Sequence, residues 1–257
     1  MIIDSHCHID FDIFDNDRQQ VIQHALDLNI NKIIVPSVMK SRWEKINVCC
    51  KQHPELYPCY GLHPYFLNQH KPQHLSDLQT YIAKNKPVAI GECGLDFFLK
   101  NLNIESQTFY FEKQLDMAVE FNLPIVIHAR KSTQAVISAI KNRPSLRGMI
   151  HSFSGSYEQA IQLIKLGFYL SFGGPITYEK STRLRKLVAK LPLESLLVET
   201  DSPDQPVASA AGNRNEPAFI IEVIEHIATL HNTSSNNIAN ITSNNVMELF
   251  DLDTKKH

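Results

Sequence analysis

No run of apolar residues in the chain approaches the ~20 that a membrane-spanning helix needs. The first residues also lack the basic-then-apolar layout of a secretory signal. Both absences lead to the expectation of a soluble, cytoplasmic protein with no membrane partner. Cysteine is scarce and badly spaced for bridging: there are five, an odd number, and Cys49 and Cys50 are adjacent. Such a set does not resemble the spaced pairs of a secreted disulfide framework, so reduced thiols are expected. A dominant charge is missing too, since 25 Lys and Arg stand against 27 Asp and Glu for a formal net charge of -2. That balance excludes a global positive field, so a nucleic-acid partner would have to be held by a local patch or directly by metal ions. Nor does any repeat, low-complexity tract or linker divide the 257 residues, and a single, monomeric domain over 1–257 is the economical expectation.

What is present is an alternation. Short runs rich in Val, Ile and Phe recur at 1–5, 32–38, 57–61, 87–91, 123–127, 148–151, 168–172 and 196–200. Segments of helical periodicity separate them, such as Val21, Ile22, Ala25 and Leu26, or Phe111, Leu115, Ala118 and Val119. Eight such units predict an α/β protein of the (β/α)8 TIM-barrel type, a fold that typically takes ~250 residues. Ser156 and Gln159 predict a capping box, and Gly167 the end of that helix. Pro217 starts a helix through Ile220, Val223, Ile224, Ile227 and Leu230, expected to be the eighth barrel helix. Residues 202–215, rich in proline and small residues, read as a long loop over the active face.

Histidines and carboxylates sit where this pattern places strand ends. His6 and His8 end the first run, Glu92 the fourth, His128 the fifth, His151 the sixth and Asp201 the eighth. Parallel strands point one way, so these six side chains are expected at the single rim where barrel enzymes keep their active sites. Strand alternation places His6 and His8 on one side and turns Cys7 away into the core. Neutral imidazole and ionised carboxylate suit Zn, Mg, Mn, Fe or Co, and four histidines with two acids exceed the needs of one four-coordinate ion. Two divalent cations are therefore expected, with Glu92 bridging them, His6, His8 and Asp201 completing one position, and His128 and His151 the other. Any one of these residues alone would more often be a hydrogen-bonded structural group. Six packed at one rim without purpose would each cost on the order of 1–3 kcal/mol if unsatisfied.

Further candidates surround this set. His63 closes the third run and would hydrogen-bond a phosphoryl oxygen, protonate a leaving group, or simply cap its loop. Arg130, two residues beyond His128, would clamp a phosphate or pair with a carboxylate such as Glu199. His70 and His74 have helical chelate spacing, but Pro72 between them favours a solvated loop or helix start. Lys180, Arg183, Arg185, Lys186 and Lys190 form a basic stretch that would steer an anion or face solvent.

Seven blocks, in order, carry a resemblance. They are Asp4-Ser5-His6-Cys7-His8, Gly61-Leu62-His63-Pro64, Ile90-Gly91-Glu92 with Gly94-Leu95-Asp96, His128-Ala129-Arg130, His151-Ser152-Phe153-Ser154-Gly155, Glu199-Thr200-Asp201-Ser202-Pro203 and Arg214-Asn215-Glu216-Pro217. Together they resemble the TatD family of metal-dependent deoxyribonucleases, in its YjjV-like bacterial branch, over essentially the whole chain. The resemblance implies a barrel hydrolase with two divalent metals held by His6, His8, Glu92, His128, His151 and Asp201. It also implies 3′-to-5′ exonuclease or phosphodiesterase activity on DNA, with Asp201 orienting or deprotonating the attacking water and Glu92, His63 and Arg130 assisting. Phe97 departs from the pattern, because many relatives carry Tyr after the Gly-Leu-Asp block. The competing reading is a binuclear amidohydrolase, lactonase or deaminase acting on a small molecule. Many of those resemble one another in a carboxylated lysine bridge at the fourth strand end, where this chain has Glu92 and keeps Lys86 at the opposite end.

Overall fold

The structure is a computed structural model that describes residues 1–252; the last five residues of the expected domain lie outside the described residues. Eight strands form one parallel sheet in sequential order: β1 (Ile2–Asp4), β2 (Ile30–Pro36), β3 (Leu56–Tyr60), β4 (Ala89–Asp96), β5 (Ile125–Arg130), β6 (Gly148–Ile150), β7 (Phe168–Phe172) and β8 (Leu196–Val198). Helices α1 (Arg18–Asp27), α2 (Trp43–Gln52), α3 (Gln73–Asn85), α4 (Ile104–Glu120), α5 (Thr133–Lys141), α6 (Tyr157–Lys165), α7 (Thr182–Val188) and α8 (Ile220–Leu230) follow the strands in turn. The expected (β/α)8 barrel is the observed fold. The last gap, between β8 and β1, is bridged just beyond the strands: Ser5 N–H donates to Val198 O at 3.1 Å, Asp201 N–H to His6 O at 2.9 Å, and His8 N–H to Ser202 O at 2.8 Å. The buried Asp4 carboxylate adds to this seam, accepting the Thr200 backbone N–H at 3.0 Å and the Thr200 hydroxyl.

The period-two pattern of the strands divides the core in two. Ile3, Ile34, Cys59, Ala89, Val126, Met149 and Leu197 fill the barrel interior, while their neighbours Ile33, Val35, Ile125, Ile127, Ile150, Leu196 and Val198 pack under the helices. A ninth helix, α9 (Ser235–Phe250), has no counterpart among the expected elements. It contacts β1 and β8 and adds Val246, Leu249 and Phe250 to the interior cluster, stopping the end of the barrel opposite the histidines. Asn245 Nδ2 fastens it by donating to Leu193 O at 3.0 Å and Leu196 O at 2.8 Å.

Two local expectations differ in extent. β4 and β5 run to Asp96 and Arg130, so Glu92 and His128 lie within strands, whereas His6, His8, His151 and Asp201 stand just past the last strand residue. The extension of β4 beside β5 needs a residue without a side chain: a Cβ on Gly94, whose φ is +146°, would lie 2.0 Å from His128 O. The Ser156–Gln159 capping box forms as expected, and Gly167 (φ +82°) ends α6. None of the five cysteines is in a disulfide, and Cys7 is fully buried. No helix among the described residues is long and apolar enough to cross a membrane. Replacing Phe250 by Ala should lower stability by about 3–5 kcal/mol, since it empties a fully buried site at the barrel end. Urea unfolding measures this, and a loss under about 1 kcal/mol would show that α9 does not stop the barrel.

Candidate metal centre

The six expected side chains meet. His6 Nε2, His8 Nε2 and Glu92 Oε2 lie 3.3, 3.3 and 3.5 Å from one another, and Asp201 Oδ1 is 3.4 Å from the His6 and 3.6 Å from the His8 nitrogen. On the far side of the same carboxylate, Glu92 Oε1, His128 Nδ1 and His151 Nε2 are 3.3, 3.1 and 3.2 Å apart. Ligands about 2.0–2.1 Å from one zinc-sized ion at tetrahedral angles stand ~3.3–3.4 Å apart, and the separations in the two groups, 3.1 to 3.6 Å, bracket that value. One carboxylate thus presents one oxygen to each group.

Hydrogen bonding behind the histidines decides which nitrogen is free. His8 Nδ1 donates to Pro36 O at 3.1 Å, and His128 Nε2 donates to Asp96 Oδ2 at 3.2 Å. In the neutral rings the inward nitrogens, His8 Nε2 and His128 Nδ1, then carry lone pairs. His151 Nδ1 lies 3.5 Å from Glu199 Oε1, a fully buried carboxylate. From the sequence alone Asp96 and Glu199 have no such role; their places in the Gly94-Leu95-Asp96 and Glu199-Thr200-Asp201 blocks are the signal it carries. Arg130 does not pair with Glu199. It is half exposed, stacks on the Phe98 ring with its guanidinium carbon 3.9 Å from the centroid, and lies 4.0 Å from Asp96 Oδ2, because Glu199 is sealed behind His151.

His63 differs from the others. Its Nδ1 accepts from Tyr65 N–H at 3.0 Å, capping the turn Pro64–Gln69, so the proton of the neutral ring sits on Nε2, 3.0 Å from Glu92 Oε1. Burial holds its pKa down at about 4. A ring that stays neutral with its proton turned inward is a hydrogen-bond donor and a poor leaving-group acid. His70, expected in solvent, braces this turn by donating from Nε2 to His63 O at 2.9 Å. Arg183, Arg185 and Lys186 of the basic stretch lie on α7 with Lys180 and Lys190 flanking it, and Arg183 donates to Ser154 O at 2.7 Å.

The acids and imidazoles of the centre shift one another. Burial alone would push Glu92 up, but the imidazoles gathered around it hold its pKa well below the usual carboxylate range. His8 is the converse: burial opposes its charge, yet Glu92 and Asp201 raise it to about 9. Glu92 Oε1, though ringed by three imidazole nitrogens, has no well-formed hydrogen bond among the described residues, and His6 Nδ1 and His151 Nδ1 have none either. An orphaned buried carboxylate oxygen facing converging nitrogen lone pairs is the donor set of a divalent cation, so the residues fit metal ions. The centre opens into a cavity of about 670 Å³ lined by Phe11, Val38, His63, Tyr65, Phe66, Arg130, Phe153, Phe172, Leu184, Asp204 and Gln205 among others. The 202–215 loop supplies the last two, and Asn215 Nδ2 anchors it on Thr200 O at 2.8 Å and Asp204 O at 2.9 Å.

The chain is similar to known proteins over nearly its whole length. The family described as TatD related DNase matches residues 3–251. The metal-dependent hydrolase YjjV of Escherichia coli K12, whose role is uncharacterised, is 35% identical, with 97% of this chain and 98% of that protein covered. The similarly described YabD of Bacillus subtilis 168 is 33% identical, with 97% and 99% covered. The crystal structure of E. coli YjjV superposes with a TM-score of 0.93 at 34% identity, covering 97% of this chain and 98% of that one. At 14% identity and a TM-score of 0.69, the E. coli phosphotriesterase homology protein shares the fold, with 97% and 98% covered.

A protonated His8 must give up its proton to bind a metal, so uptake at pH 7 should release protons and affinity should rise as pH climbs from 6 towards 9. Calorimetric zinc titrations in buffers of different ionisation enthalpy measure the release. Uptake without proton release would contradict this assignment.

Proposed function

The chain belongs to the TatD related DNase family, and from that premise we propose that it is a metal-dependent hydrolase cleaving phosphodiester bonds, a DNase removing nucleotides from a 3′ end. The observation that carries the reading is the division of the Glu92 carboxylate between two nitrogen-and-oxygen groups at the mouth of an open cavity. Structural zinc sites are usually closed and thiolate-rich, whereas this one has no sulfur among its ligands and faces a substrate-sized space.

When bound, two divalent cations supply Lewis acidity and lower the pKa of water towards neutrality. His6, His8, Glu92 and Asp201 would hold one, and Glu92, His128 and His151 the other. Asp201, whose Oδ1 faces the first position, orients the attacking water and takes its proton. The His63 Nε2–H points into the same space and is fixed by the Tyr65 amide, so it donates to a phosphoryl oxygen as negative charge builds there. Arg130, braced on Phe98, meets the next phosphate at the rim. Leu184 of α7 lines the cavity, and exposed Lys180, Arg183 and Lys186 around it offer a polyanion the local positive surface that a net charge of -2 does not provide globally. Action on DNA in the cytoplasm as a monomer completes the reading.

A second reading is favoured by the cavity walls. Phe11, Phe66, Phe153, Phe172 and Leu184 give it the apolar lining of a small-molecule site, which a lactonase or amidase would use. A metal-dependent assay on 3′-labelled single-stranded DNA beside an ester and amide panel separates the two. Replacing Asp201 by Asn should cut turnover by roughly 10³-fold or more with the far-UV spectrum unchanged, the scale of losing a principal charge-stabilising group. Activity retained in Asp201→Asn would remove this residue from the reaction.

A further inference from the structure

Gln205 matches none of the motif residues, yet it joins the two halves of the centre. Its Nε2 donates to Asp201 Oδ2, leaving Oδ1 as the oxygen turned to His6 and His8. Its Oε1 accepts from Ser152 Oγ at 2.8 Å. The Ser152 backbone N–H donates to Glu199 Oε1 at 2.7 Å, and that oxygen lies 3.5 Å from His151 Nδ1. Hydrogen-bonded residues therefore run from the carboxylate of one cation position to Glu199, whose Oε1 lies 3.5 Å from the histidine of the other. The amide sense is fixed by its partners, since a flipped Gln205 would set its carbonyl oxygen against the Asp201 carboxylate.

The backbone is committed to this arrangement. Ser152, Asp201 and Gln205 have φ of 45°, 57° and 48°, left-handed values that are costly for a non-glycine residue. Asn215 Nδ2 holds the Gln205 carbonyl at 3.2 Å, so the side chain projects from an anchored segment.

Resting on the metal-centre reading, we infer that Gln205 is a positioning residue, whose amide ties back the second oxygen of Asp201 and so makes that side chain a one-oxygen ligand. Without this bond the carboxylate is free to rotate and offer both oxygens to one cation. Ser152 acts only through the amide, by fixing which end of it faces Asp201.

Cobalt(II) titration of the metal-free full-length chain, followed by visible d–d absorption, tests this in wild type, Gln205→Leu, Ser152→Ala and the double variant. Gln205→Leu should weaken one of two cobalt-binding steps by about 10–100-fold, the scale for losing a partner behind a ligand, and alter the absorption envelope. Ser152→Ala should have a smaller effect in wild type and none once Gln205 is Leu, because contacting residues in one chain of bonds are not additive. Unchanged affinity and spectrum in Gln205→Leu, or equal Ser152→Ala effects in both backgrounds, would overturn the inference alone. A wild-type chain that takes up no cobalt would overturn the metal-centre reading, and the inference with it. If Gln205→Leu folds poorly by circular dichroism, Ser152→Ala by itself decides the matter, since it keeps the amide and frees its carbonyl: a weakened cobalt step supports the inference, and an unchanged one overturns it.

Discussion

The Glu92 carboxylate, nearly sealed from solvent, is the constraint around which the rest of the barrel mouth is arranged. An ionised carboxylate in such a place costs several kcal/mol unless positive charge meets both oxygens. Here His6 and His8 converge on one oxygen and His63, His128 and His151 on the other. The carboxylates raise the pKa of His8, His128 and His151, so protons on those rings supply the positive charge; a bound metal would take the inward nitrogens and displace the protons. The centre is therefore a place where protons and divalent cations compete for one set of lone pairs.

That competition is biased by what lies behind the ligands. Pro36 O and Asp96 turn two histidines so that their lone pairs face inward, Glu199 lies 3.5 Å behind a third, and the Tyr65 amide turns His63 the opposite way and leaves it a donor. One residue type thus performs two tasks within a few ångströms, and backbone and carboxylate partners decide which. The barrel keeps the conformational cost of this low, because each ligand hangs from or just beyond a strand fixed by its neighbours. The seam from β8 to β1, tied by Asp4, Thr200 and the Asp201 and His8 amides, places the first and last ligands of the chain side by side.

Much of this was legible in the sequence, for physical reasons. Eight apolar runs alternating with helical periodicity specify the barrel, and the position of a polar residue after each run specifies the rim, so the assembly of His6, His8, Glu92, His128, His151 and Asp201 could be anticipated. Helix α9 could not. Its sequence is dense in Asn and Ser, poor helix formers, and its apolar residues Val246, Leu249 and Phe250 gain meaning only against the open barrel end they cover. The partner of Arg130 was equally hidden, since sequence spacing places residues on a side without saying which is sealed behind another. Asp96 and Glu199 were visible as motif letters, but their work depends on ring orientations that only side-chain geometry reveals. Gln205 lies in a segment of loop composition, where left-handed backbone at Asp201 and Gln205 sets the contact and no periodicity announces it.

The central claim is that one carboxylate serves two cation positions. Anomalous scattering from crystals of the protein loaded with zinc or cobalt tests it most directly. Two peaks on opposite sides of the Glu92 carboxylate, about 3.5–4 Å apart as in other paired centres, are the predicted result. A single peak, or peaks whose nearest ligands exclude Glu92, would contradict it.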